Sequence, residues 1–174
     1  MDLDLPRRLQ GKLTSADPIE RCRAIRVARF LELLPAVAER VYALAGDGEK
    51  IVRAAAMTAL ADLSGPTSIR ILRAAMNDPD ERVQANAIES LDHLQVSDRA
   101  EILQPKLASP NNRVRANAIR ALLRLEVREA GDALLDMLGD SSRAHRASAL
   151  LVIERLQLRA VMERRRCLTT QPRR

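Results

Sequence analysis

Apolar residues recur along this chain in blocks, and the blocks return every 31 residues. The segments 52–60 (VRAAAMTAL), 83–91 (VQANAIESL), 114–122 (VRANAIRAL) and 145–153 (HRASALLVI) align without gaps. Val83, Ala87, Leu91 and Leu94 fall on one stripe of a 3.6-residue helix, and Val114, Ala118, Leu122 and Leu125 repeat it. A second, shorter stripe lies between these helices. Val41, Leu72, Leu103 and Leu134 share one register in it, and Ala45, Met76, Leu107 and Leu138 share another. Each unit is thus predicted to be a helix of about ten residues, a tight turn and a helix of about fourteen. The turns around Asp47, Asp78 and Pro110 hold Gly, Asn, Asp, Ser and Pro, which stop one helix and cap the next. A fainter copy starts at Cys22, 30 residues before Val52, and that alignment sets Arg26 where Ala56 and Ala87 stand.

One such hairpin cannot bury its apolar faces alone, whereas stacked hairpins share a continuous core. The expected fold is therefore all-α, a right-handed α-solenoid (α-α superhelix) of about five helical hairpins over residues 1–158. The units are about 4–34, 35–65, 66–96, 97–127 and 128–158. Residues 159–174 are expected to form a capping half-repeat and a basic tail, because Arg165 stands where the register calls for the apolar residue of Leu72, Leu103 and Leu134. Pro105 falls inside a first helix, where it removes a hydrogen bond, so a kink or an early helix end is expected there.

Composition narrows the chemistry. There is no Trp, one Phe and one Tyr, so the core must be built from Ala, Leu, Val, Ile and Met. Two cysteines, Cys22 and Cys167, form no disulfide framework. No stretch reads as a secretory signal or a membrane span, and a cytoplasmic location is expected. The net charge of +6 is concentrated at the C-terminus, where residues 159–174 hold six Arg against one Glu.

In its turn Asp, Val-Arg, small-residue and Ala-Leu pattern the chain resembles the HEAT-like repeat family, in the form found in phycobilin lyases. The resemblance covers nearly the whole chain. It implies a structural ladder in which a turn Asp and an Arg six residues on bond neighbouring repeats: Asp17 with Arg23, Asp47 with Arg53, Asp140 with Arg146, and Arg115 in a unit that has Ser109 for the Asp. A phosphate-binding stripe is the weaker reading of that Arg row. The resemblance also implies that the second helices line a concave face. The exposed positions there would be Arg82, Ala85, Asn86, Glu89 and His93, then Arg113, Ala116, Asn117, Arg120 and Arg124, then Ser148, Leu151 and Arg155. Asn86 and Asn117, equivalent in register, are either hydrogen-bonding groups for an extended peptide or ordinary polar positions.

Catalytic signals are weak. Di-iron enzymes of HEAT-like form need repeated His-Glu pairs, and this chain has only His93 and His145, in different units. Cys22 reads as a core position, His145 as a hydrogen-bonded core or groove residue, and Cys167 as a thiol in a basic context. No metal, cofactor or catalytic residue is expected. The expected role is a non-enzymatic scaffold or adaptor for a protein partner, bound through Asn86, Glu89, His93, Arg113, Asn117, Arg120, Arg124 and Arg155. Arg120, Arg124 and Arg155 are the expected anchors. Two alternatives stay open: phosphate-backbone binding of nucleic acid by the Arg-rich face and tail, and a bilin-lyase-like enzyme subunit. The solenoid ends are a further surface, available for homo-oligomers.

Overall fold

A computed structural model describes residues 4–156 of the chain. Among them every regular element is helical, and the architecture is an all-α solenoid of helical hairpins. The chain divides into two compact units, one ending at Arg99 and the other starting at Ala100. In unit 1, α1 (Leu5–Leu13) pairs with α2 (Pro18–Phe30). A 3-10 turn, Leu34–Val37, then leads into α3 (Ala38–Leu44) and α4 (Lys50–Leu63), and α5 (Gly65–Ala75) pairs with α6 (Glu81–His93). Unit 2 holds α7 (Arg99–Leu103, its first residue still in unit 1), a 3-10 segment Gln104–Ala108, α8 (Asn112–Leu123), α9 (Arg128–Gly139) and α10 (Arg143–Arg155). The segment 159–174, with its basic residues and Cys167, lies outside the described residues. No described helix is long and apolar enough to cross a membrane.

The five second helices, α2, α4, α6, α8 and α10, start in the same way. Their N-cap residues are Asp17, Glu49, Asp80, Asn111 and Ser142. Two residues before each cap, a short polar side chain accepts the cap N–H: Ser15, Asp47, Asp78, Ser109 and Asp140, at 2.7–3.3 Å. Such a turn stops the first helix and aims the chain into the second. Alignment on these caps corrects the first repeat. Arg21, not Arg23, is the partner of Arg53, and Ala24, not Arg26, stands with Ala56. The run Cys22-Arg23-Ala24 imitates Val52-Arg53-Ala54, and apolar periodicity alone could not detect a slip of two residues.

At the other end, α2 and α8 close with a non-glycine residue in the left-handed region, Glu32 at φ 55° and Glu126 at φ 58°. The next N–H then reaches back to a carbonyl of the last turn, Leu33 to Ala28 at 2.8 Å and Val127 to Leu122 at 3.1 Å. A side chain held there is strained, so Glu126→Gly is expected to stabilise the protein by about 0.5–1 kcal/mol in urea unfolding. Glu126→Ala keeps the Cβ and should show no such gain.

Pro105 acts as the sequence suggests. The α-helix ends at Leu103, and the chain tightens into the 3-10 segment with Pro105 at its start, where no N–H is needed. In unit 1 the buried side chains include Leu13, Ile25, Val41, Val52, Met57, Leu60 and Leu72. In unit 2, Ile119, Leu134, Met137, Val152 and Ile153 form one cluster, edged by Leu107, Leu123, Leu138 and Leu156. Alanines such as Ala56 and Ala59 let the second helices approach closely, so α4 packs on both α2 and α6, and α8 on α10.

Candidate partner-binding site

The capping turns also carry the charged links between repeats. Four residues after four of the five caps, a long side chain folds back onto its own turn. Arg21 donates to the Ser15 and Ala16 carbonyls, Arg53 to Asp47 and Gly48, Gln84 to Asp78, and Arg146 to Asp140 and Ser141. In unit 1 the guanidinium then reaches the next turn. Arg21 Nη2 lies 2.8 Å from Asp47, and Arg53 clasps Asp78 with Nε at 2.8 Å and Nη2 at 2.9 Å. The pairing thus runs from an Arg to the Asp of the following repeat, not to the Asp of its own turn, whose carbonyl oxygen it takes instead. Asp17, expected in this ladder, is a helix cap, accepting from Ile19 N–H at 2.8 Å. Arg23 is exposed and belongs to another row. Partial burial works to raise the Asp78 carboxyl, but Arg53 and the Asp80 N–H outweigh it and hold it below the ordinary aspartate value. In unit 2, Arg115 donates to the Ala133 carbonyl at a long 3.4 Å, and its charge helps lower Asp140. For Asp140 the largest cause is the Ser142 N–H, followed against it by burial and then with it by His145. His145 itself lies between Asp140 (3.3 Å) and the Pro110 carbonyl (3.1 Å), a link within the scaffold.

The residues expected on the binding face part into two groups. His93, Arg113, Arg124 and Arg155 are exposed, and Glu89 is half-buried. Asn117 and Arg120 are buried, at 8% and 5% exposure, and so are Ala85 and Ala116. This corrects the expectation that Arg120 is an exposed anchor. Asn86 is half-buried; its amide donates to the Ala54 carbonyl at 2.9 Å, tying α6 to α4, and it lines a groove together with Thr58 and Arg82. The physical reason is that second helices pack on other helices: α4 lies between α2 and α6, and α8 packs on α9 and α10, so a polar position can face a helix and not water. In unit 1 a narrow strip is left, at the second, ninth and thirteenth residues after the cap, whereas in α8 the ninth is the buried Arg120.

Three helices of unit 1 shape that strip into a groove of about 390 Å³. Its floor is apolar, with Ile19, Cys22 and Ile25 from α2 and Ile51, Ala54 and Ala55 from α4. Arg26, Arg29 and Arg82 stand on its walls. Arg29 is engaged by Asp62 at 2.6 Å. Arg26 and Arg82, both exposed, have no acidic side chain within ion-pair distance among the described residues. Burial pushes the Cys22 thiol above its ordinary value, against the pull of Arg26 and Arg21, so it stays protonated and unreactive at neutral pH. Sequence reasoning missed this groove. Counting from the caps would have found it, since that sets Ile19, Ile51 and Arg82 in one row and Arg26, Thr58 and Glu89 in another. Among the described residues, no group of three or more His, Cys, Asp or Glu is placed to hold a metal ion.

Residues 5–92 match the HEAT repeats family. No curated protein matches the chain in sequence. Among solved structures, it is similar to a designed armadillo repeat protein, at 21% identity and a TM-score of 0.55, over 86% of this chain and 80% of that one. An engineered protein aligns at 20% identity and 0.53, over 87% and 79%. The complex of CpcE and CpcF of phycocyanin lyase from Nostoc sp. PCC7120 aligns at 21% and 0.52, over 85% and 75%. At these identities the likeness is one of fold.

Proposed function

Because the chain belongs to the HEAT repeat family, we propose that it is a non-enzymatic, cytoplasmic scaffold that holds a protein partner on the exposed strip of its second helices. The groove between α2, α4 and α6 is the anchoring point. The observation that carries this reading is an apolar floor flanked by two arginines with no acidic partner among the described residues. Such a groove suits an acidic segment bearing one aliphatic side chain. The aliphatic group fills the floor, and the carboxylates meet Arg26 and Arg82 in planar, bidentate fashion. Arg113, Arg124 and Arg155 are exposed in unit 2. A free, buried Cys22 fits a reducing compartment.

The test is affinity capture from nuclease-treated native extract by the wild type and by R26E/R82E, followed by mass spectrometry. A discrete protein held by the wild type and lost by the variant is the expected outcome, with an unchanged melting temperature because both side chains are exposed. The charge reversal should weaken binding at least about 100-fold, from roughly 1.5 kcal/mol for each reversed contact. Equal capture by both proteins would remove the groove from the interface. Loss of every ligand on nuclease treatment would move the function to nucleic acid.

A further inference from the structure

The groove over α4 also constrains the shape of what it holds. Bonds from Asn86 to Ala54 and from Ser90 to Met57 set α6 parallel to α4, and bonds from Arg21 to Asp47 and from Arg29 to Asp62 do the same for α2. Both α2 and α6 pack on α4, so their axes stand up to about 20 Å apart. Between them the strip of α4 is low, built from Ile51, Ala54, Ala55 and Thr58. The space runs lengthwise along α4, and a helix about 10–12 Å across fits along it.

An extended backbone finds no partners on this floor. The peptide groups of the three helices are spent inside those helices. The Asn86 amide meets the Ala54 carbonyl at 2.9 Å and the Thr58 hydroxyl at 3.5 Å, and that hydroxyl donates to the same carbonyl at 3.4 Å. On α4 the register of Asn86 is held by Ala55, which has no polar group. An extended segment pressed onto the floor would bury N–H and C=O groups unpaired, whereas a helix satisfies its own. The walls then set the charge. The lining holds no acidic side chain, and of its three arginines Arg29 is taken by Asp62. Glu81 and Glu89, on the same helix as Arg82, lie outside the lining and each already has a partner. Arg82 is the second residue after its cap and Arg26 the ninth. They therefore stand on opposite walls, about 10 Å apart along the groove, which is about two turns of helix.

We propose that the groove takes an acidic amphipathic α-helix laid lengthwise over α4, an inference that rests on the protein-binding reading above. Aliphatic side chains of that helix at i, i+4 and i+7 cover Ile51, Ala54 and Ala55, and carboxylates about two turns apart on its two flanks meet Arg26 and Arg82. The chain's own residues 159–174 hold six Arg against one Glu, so like charge keeps them from this place.

Random linear peptides of about 16 residues, long enough to hold a helix, are displayed on phage, selected on the full chain and rescreened on R26E/R82E. The peptides that the variant loses should carry aliphatic residues at i, i+4 and i+7 and Asp or Glu on both flanks. As free peptides they should gain helical circular dichroism on binding. A proline at the centre should weaken them about 100-fold, because it breaks a helix. A side-chain lactam across i and i+4 on the outward face should tighten them, because less freedom is lost on binding. Peptides lost by the variant that alternate with a period of two, or that tolerate the central proline, would overturn the helix and leave the groove as a peptide site. If R26E/R82E retains every selected peptide, the groove reading fails and this inference with it. Both substituted side chains are exposed, so an unchanged melting temperature is expected of the variant.

Discussion

Leu60→Ala is expected to lower the unfolding free energy by about 3 kcal/mol, near the middle of the range for a fully buried leucine. Leu60 is 0% exposed and sits on α4, which packs against α2, α3, α5 and α6. Helices on several sides cannot all collapse into the space left by three carbons, so most of the cavity should persist and its lining lose dispersion contacts. Leu91 and Leu122 hold the same register and are also fully buried, whereas the first repeat has Ala28 there. Denaturant unfolding should show a lower midpoint with little change in slope. Hydrogen exchange should localise the loss to α4 and its neighbours. Leu60→Met, close in volume, should cost less than about 1.5 kcal/mol. Equal losses for Ala and Met would mean that the site is not packed as described.

The second large effect is expected at Arg53 and Asp78. Arg53 makes four hydrogen bonds, two to the Asp78 carboxylate and two to carbonyls of its own turn. Asp78 in turn accepts the Asp80 N–H at 2.8 Å and so shapes the entry to α6. Asp78→Ala removes both functions and leaves a mostly buried guanidinium facing an empty turn, at a cost of about 2–3 kcal/mol. Asp78→Asn keeps an oxygen for the turn and loses only the charge, so about 1 kcal/mol is expected. The folded carboxyl is held below its unfolded value. Its contribution is therefore complete above the ordinary aspartate range and disappears as pH falls through the lowered value. The stability gap between wild type and Asp78→Asn should be constant at neutral pH and close in acid. A gap that widens in acid would contradict the pairing.

How much was legible in the sequence depends on how local the cause is. Helical periodicity and turn chemistry act within a few residues, so the helix hairpins, the core rows Val52, Val83 and Val114, and the break at Pro105 could all be read directly. The first repeat was misaligned because Cys22 is small and apolar like Val52. Only the cap on Asp17 and the turn at Ser15 settle that register, and they place Arg21 against Asp47.

Polar positions were legible only in part. Amphipathicity tells which side of a helix avoids its own hairpin, but not whether that side meets water or another helix. Asn117 and Arg120 lie on a polar stripe and are nevertheless buried. Asn86 spends its amide on a neighbouring backbone, whereas Arg26 and Arg82, 56 residues apart, come to flank one groove. The sequence by itself determined the repeating hairpin, because each hairpin is specified by interactions inside about 31 residues. Only the tertiary structure decided which side chains remain for a partner, because their exposure depends on the offset and spacing between successive second helices.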